Sequence, residues 1–113
     1  FYTDFTLRPN KGGGAWMSTF RSQSKFDGDV IPIVINVCNF PPENADGISL
    51  LSFEQVETLF HEFGHGLHGL LSNAQYPSLS GTSVTRDYVE FPSQMMENWA
   101  REPEVIKTFA KHY

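Results

Sequence analysis

The sequence is poor in the residues that several common classes of site require. Cys38 is the only cysteine among the 113 residues, so neither a disulfide framework nor a cysteine-rich metal site can form within the chain. We expect Cys38 to be a small buried apolar residue. Only eight lysines and arginines stand against thirteen acidic residues, and they are scattered rather than clustered. A nucleic-acid partner is therefore not expected.

Long apolar runs are also missing. No segment approaches the roughly 20 apolar residues that span a bilayer, and no signal peptide opens the chain, so we expect no membrane partner. We expect a cytoplasmic protein and keep the periplasm as the alternative compartment. Because the chain begins at Phe1 without a methionine and stops at Tyr113 within a predicted helix, we interpret it as a fragment whose partner is the remainder of a longer chain.

Aromatic residues, in contrast, make up 14% of the sequence and predict one modest core built on rings. Alternating side chains at Phe1–Leu7 predict a strand, and Ala15–Phe20 and Val30–Cys38 predict two more. Pro32 cannot donate a hydrogen bond to a sheet, so we expect the third strand to lie at an edge or to bulge at this residue. Residues 1–40 thus form the predicted strand region.

Helical patterns follow the strand region. The capping box Ser52–Gln55 and the apolar residues behind it predict a helix over residues 52–71. A serine-rich connector leads to a second predicted helix over residues 85–101, whose early Pro92 is acceptable only in the first turn or at a kink. A third helix is predicted over residues 103–113. The sequence therefore predicts an α+β fold in which a small sheet of about three strands precedes the helices.

The first predicted helix carries His61, Glu62 and His65 in the H-E-x-x-H pattern of zinc hydrolases. The two histidines lie within roughly 40° and about 6 Å of each other on a helix, so both can bind one ion. Glu62 projects about 100° away from His61, which suits a general base acting on a water at the metal. An apolar row lies roughly opposite and is expected to face the core. Its members are Val56, Leu59, Phe63, Leu67 and Leu70.

The surroundings of the motif favour a metal site over a chance match. Between Thr58 and Leu67 the only ionisable residues are the three motif residues. A solvated surface helix with two histidines would carry Lys, Arg or further Glu residues in this stretch. Their absence is typical of an ion-binding helix in apolar surroundings.

A catalytic zinc ion usually takes three protein ligands, so a third has to be found. His68 lies one turn beyond His65, but three ligands in a line along one helix surround an ion poorly. The metzincin continuation of the motif also fails, because it requires glycine at His68 and histidine at Leu71. We expect His68 to lie beside the ligands or on the substrate side.

A second, crossing helix offers Glu90 as the better placed third ligand. Glu90 has an alternative role, because its spacing from Asp87 also fits a capping box. Gln94 and Glu97 share the predicted helical face of Glu90 and are candidates for hydrogen bonds to the ligand imidazoles. For both of these residues we expect instead an exposed polar side chain without a role in the site.

With both helices assembled, the chain resembles the thimet oligopeptidase family of zinc peptidases, and within it the dipeptidyl carboxypeptidases. The match runs nearly end to end. It is carried by Leu59 to His68, Ser80-Gly81-Thr82, Arg86 to Gln94 and Glu97-Asn98-Trp99, and the segments Gly13 to Met17 and Asn36 to Phe40 lean toward the carboxypeptidase branch.

The resemblance implies one zinc ion held by His61, His65 and Glu90, with Glu62 as the general base. It implies the catalytic core of a larger, mostly α-helical, zincin-like peptidase that hydrolyses oligopeptides and releases C-terminal dipeptides. An endo-acting oligopeptidase and a catalytically incompetent zinc-binding fragment are the alternatives. Because the family's substrate-holding Tyr and His residues lie beyond the matched segment, the isolated fragment is expected to be a poor enzyme.

Overall fold

Three strands and three helices form within residues 1–111, which the computed structural model describes. The strands are β1 (Tyr2–Thr6), β2 (Trp16–Arg21) and β3 (Ile33–Phe40), and the helices are α1 (Phe53–Leu70), α2 (Phe91–Arg101) and α3 (Pro103–Phe109), with a short 3-10 turn at Pro77–Leu79. The predicted α+β fold, a small sheet followed by helices, is confirmed.

Strand β3 lies in the centre of the sheet, parallel to β1 and antiparallel to β2. The predicted edge position or bulge at Pro32 is wrong. The strand begins at Ile33, immediately after the proline, so the missing N–H of Pro32 removes no hydrogen bond from the sheet. As the central strand β3 is paired along both edges, and Val34 and Cys38, which share one face, are fully buried. The prediction for Cys38 is confirmed.

Helix α1 packs across β3 and β2 and begins at the predicted capping box. Its buried residues are Glu62 and three glycines, whereas the apolar row that was predicted to face the core is only half-buried. The glycines explain this difference, because they let neighbouring segments approach the helix closely. A Cβ atom at Gly69 would lie 2.6 Å from the Met17 side chain. The larger apolar residues of the predicted row therefore lie beside the contact with the sheet and are only half-buried.

Helix α2 begins at Phe91, later than the predicted boundary at residue 85. Pro92 accounts for the delay, since its ring would clash with the carbonyl of Tyr88 if the helix continued backwards. Pro92 instead falls in the first turn, as the sequence required. Glu90 becomes the residue that precedes the helix and makes no side-chain capping bond, so the alternative capping box with Asp87 does not form.

Helix α3 is shorter than predicted. It ends at Phe109, and Ala110 already has extended backbone angles, while the last two residues of the predicted 103–113 segment lie outside the described residues. Seven residues make a marginal helix on their own. Contact between the rings of Phe60 and Phe109, 6.4 Å apart, attaches it to α1. No helix within residues 1–111 has the length and apolar character needed to cross a membrane.

Candidate metal centre

Two helices bring three potential metal ligands together. His61 and His65 project from α1, and Glu90 reaches them from the residue before α2. One carboxylate oxygen, Oε2 of Glu90, lies 3.3 Å from Nε2 of His61 and 3.1 Å from Nε2 of His65. The three ligand atoms all lie within 4.8 Å of one another. These are the three residues predicted as ligands.

The donor set fits a zinc ion. Zinc binds imidazole nitrogen and carboxylate oxygen at about 2.0–2.2 Å, so two ligands of a tetrahedral ion lie about 3.3 Å apart, as Glu90 does from both imidazoles. Burial lowers the pKa of His65, which favours the neutral imidazole that binds metals. The hydroxyl of Ser93 lowers the pKa of Glu90 and keeps its carboxylate ionised. Three protein donors leave one position open.

The crossing of α1 and α2 sets the position of Glu90. At Gly64 the helices touch so closely that a Cβ atom would lie 2.6 Å from Cα of Ser93. An ion pair between Arg101 and Glu57 also joins the helices, with Nε 2.6 Å from Oε1. Since the Arg101 side chain is 66% exposed, this pair contributes at most about 1 kcal/mol. The close contact at Gly64 is the stronger constraint.

Glu62 lies beside the ligands in the same cleft, which has a volume of about 380 Å³. Its side chain is buried, and its Oε2 atom has no hydrogen-bond partner among residues 1–111. Burial raises the pKa of Glu62, although the neighbouring His61 opposes this shift. A buried carboxylate with one free oxygen and a raised pKa is suited to accept a proton and to give it back.

Glu97 contacts a predicted ligand, so the expectation of an exposed side chain without a role is wrong for this residue. Its Oε1 atom lies 2.6 Å from Nδ1 of His61. With the proton on Nδ1, the imidazole donates to Glu97 and keeps the Nε2 lone pair free for a metal. Gln94, by contrast, is exposed, as expected. His68 lies outside the ligand group with its ring against Tyr88, at 6.2 Å.

Replacing Glu97 with Ala should weaken metal binding by about 10–100-fold, the usual effect of removing the carboxylate behind a ligand imidazole. Glu97→Gln should fall between wild type and Glu97→Ala, because the amide oxygen still accepts the hydrogen bond without the charge. Competition with a chelator measures the affinity. The control is Glu104→Ala, since Glu104 is exposed and pairs with Lys107 at the surface. Equal affinities for Glu97→Ala and this control would contradict a role for Glu97.

Several residues of the site were not predicted as site residues. Ser93 donates to Glu90, and the cleft is lined in addition by Met17, Thr82 and Val89. The spacing of three residues between Glu90 and Ser93 was a usable signal, because such residues are neighbours on a helix. The cleft wall had no comparable signal, since it comes from three separate segments.

Comparison with known proteins identifies the family of the chain. The family model described as peptidase family M3 matches residues 1–113. The chain belongs to this family. It is 50% identical to dipeptidyl carboxypeptidase of Escherichia coli (strain K12) over 113 residues and 45% identical to oligopeptidase A of the same organism over 116 residues. Mitochondrial intermediate peptidase of Neurospora crassa is 42% identical over 99 residues.

These three relatives are much longer than the chain. The first two matches cover the whole chain but only 16% and 17% of the relatives, and the third covers 86% of the chain and 12% of the relative. The chain therefore spans about one sixth of the length of the first two relatives. Within that sixth lie His61, Glu62, His65 and Glu90.

Proposed function

We propose that the chain is the metal-bearing core of a zinc peptidase that hydrolyses oligopeptides. The observation that carries the proposal is the convergence of His61, His65 and Glu90 beside the buried carboxylate of Glu62. Membership of peptidase family M3 supports the reaction class. We assign the substrate-holding Tyr and His residues that the resemblance implies to the remainder of a longer chain. We place this enzyme in the cytoplasm, without a nucleic-acid or membrane partner.

Each residue of the site has its own role in the proposed reaction. His61 and His65 would hold the ion through Nε2, and Glu90 through Oε2. When bound, a zinc ion would lower the pKa of a water molecule and polarise the scissile carbonyl group. Glu62, which lines the cleft, would take a proton from the attacking water and pass it to the leaving amine. Glu97 keeps the proton on Nδ1 of His61 and thereby orients the ring.

An extended peptide fits best along the outer edge of β2. This strand is an outer strand of the described sheet, and Ala15 and Trp16 line the cleft that holds Glu62. Unpaired backbone groups at a sheet edge accept a peptide as an additional strand. The glycines that precede Ala15 leave room for the peptide backbone. The substrate would thus lie between the sheet edge and the metal.

We propose that the peptidase releases dipeptides from a free C-terminus. The similarity to a dipeptidyl carboxypeptidase supports this mode, and the similarity to oligopeptidase A supports the endo-acting alternative. Recognition of a terminal carboxylate requires a cationic or hydrogen-bonding group near the metal. We assign that group to the remainder of the longer chain.

Metal analysis and product analysis of the full-length protein test the proposal together. We expect one zinc ion per chain, loss of cleavage on dialysis against a chelator, and recovery when zinc is added back. Mass spectrometry of matched peptides with free and amidated C-termini should show dipeptides only from the free form. Internal cleavage of both peptides would favour the endo-acting enzyme. A protein that binds no metal would overturn the proposal, and one that binds metal without cleaving peptides would favour the non-catalytic alternative.

A further inference from the structure

The carboxylate of Glu90 is held by a hydrogen bond from a side chain of α2, and not by a capping bond. Glu90 precedes α2, its side chain is 49% exposed, and it makes no capping bond to the helix. A glutamate side chain in this position has free rotation about several bonds and would lose that freedom on binding an ion. The hydroxyl of Ser93 restricts it. Oγ of Ser93 lies 2.9 Å from Oε2 of Glu90 and 2.8 Å from its backbone oxygen.

Ser93 is itself fixed from both helices. It is fully buried, with 0% of its surface exposed, so its hydroxyl cannot exchange its partners for bulk water. Its main chain lies against α1 at the position where Gly64 has no side chain. Since the hydroxyl carries one proton, it shares that proton between Oε2 and the backbone oxygen of Glu90. Ser93 thus links the position of α1 to the position of the Glu90 carboxylate.

We propose that Ser93 is a positioning residue that holds Oε2 of Glu90 at the point where Nε2 of His61 and Nε2 of His65 converge. The same oxygen accepts from Ser93 and faces both imidazoles, at 3.1 Å and 3.3 Å. Fixing a ligand before the ion arrives reduces the ordering cost of binding. The inference rests on the proposed metal site, because Ser93 acts only through Glu90.

A purely structural role for Ser93 predicts a different result. A serine hydroxyl that bonds to a backbone oxygen three residues earlier is a common local contact, and its loss would lower stability alone. A positioning role predicts that Ser93→Ala weakens metal binding by about tenfold, at the lower end of the range for groups behind a ligand. The two roles are separated by measuring metal affinity and metal-free stability side by side.

The test uses the full-length protein with Ser93→Ala and, as control, Ser24→Ala, which removes another buried hydroxyl remote from the ligands. Zn²⁺ affinity is measured by chelator competition, and thermal unfolding is followed without metal. We expect about tenfold weaker binding for Ser93→Ala and wild-type binding for Ser24→Ala. Equal affinities in the two variants would overturn the inference. Wild-type protein that binds no Zn²⁺ would overturn the proposed function instead.

A double-mutant cycle checks that the effect passes through Glu90. In a Glu90→Ala background, adding Ser93→Ala should not weaken Zn²⁺ binding further, because no side chain that Ser93 could position remains at residue 90. Additive losses would contradict the inference. Ser93→Cys keeps the size of the side chain with a weaker donor and provides a second variant. We expect its affinity to lie between those of wild type and Ser93→Ala, and a wild-type affinity would count against the hydrogen bond.

Discussion

Glu62→Gln should reduce the rate of peptide hydrolysis by about 10²–10⁴-fold, the usual contribution of a general base, while zinc stays bound. Glutamine has the shape of glutamate but cannot accept a proton at neutral pH. Zinc binding should be preserved because Glu62 is not among the three residues whose ligand atoms converge. The kcat of the full-length protein measures the effect, and metal analysis of the same sample measures occupancy.

Stability gives an independent check on Glu62. Burial raises the pKa of its carboxyl group, so the buried charge costs stability at neutral pH, and that cost falls as the group is protonated at lower pH. The neutral amide in Glu62→Gln should therefore leave the metal-free protein at least as stable as wild type. The control is Glu43→Gln, in an exposed loop, which should change neither kcat nor stability. Turnover retained in Glu62→Gln would remove Glu62 from the mechanism.

Local geometry explains how much of the site could be predicted from the sequence. The relation between His61, Glu62 and His65 depends only on the pitch of one helix, and the capping box Ser52–Gln55 marks where that helix begins. The structure places the two histidines on one side of a common cleft with Glu62. Short-range patterns of this kind are independent of the rest of the fold.

Features that depend on two elements meeting could not be predicted in the same way. The spacing argument left Glu90 with two roles, and the choice between them depends on where α2 begins, which Pro92 determines. Glu97 was expected to be exposed, because it shares the predicted helical face of Glu90 with Gln94 and the sequence does not show which of the two faces His61. The distance of 2.6 Å between them arises from the crossing of α1 and α2. Hydrophobic periodicity does not encode that crossing.

The glycines of α1 are the clearest case of information that periodicity misses. A hydrophobic pattern predicts which face of a helix avoids water, and on that basis the large apolar residues should have been the most buried. In the structure Gly64, Gly66 and Gly69 are buried instead. Close packing between backbones brings the ligands of two elements within reach of one ion. The absence of a side chain is therefore part of the site.

Gly64→Ala should test this idea with a single methyl group. The new Cβ would lie 2.6 Å from Cα of Ser93 and 2.7 Å from the backbone oxygen of Pro92, and backbone atoms cannot rotate away. Restoring ordinary contact requires α2 to move by about 1 Å, a displacement that can cost about 10²-fold in activity. Overpacking lowers the free energy of unfolding by about 1–3 kcal/mol. The higher helix propensity of alanine returns about 1 kcal/mol, so the expected net effect is destabilising.

Gly66→Ala is the matched control on the same helix, because it gains the same propensity but meets only side chains. Its Cβ would lie 3.3 Å from the amide of Asn36 and 3.3 Å from the ring of Phe1, which can shift slightly. We expect Gly64→Ala to lose about 10²-fold in kcat/KM and to bind Zn²⁺ more weakly, whereas Gly66→Ala keeps both properties close to wild type. Equal effects of the two variants would mean that general strain in α1, and not the displacement of Glu90 with α2, controls the site.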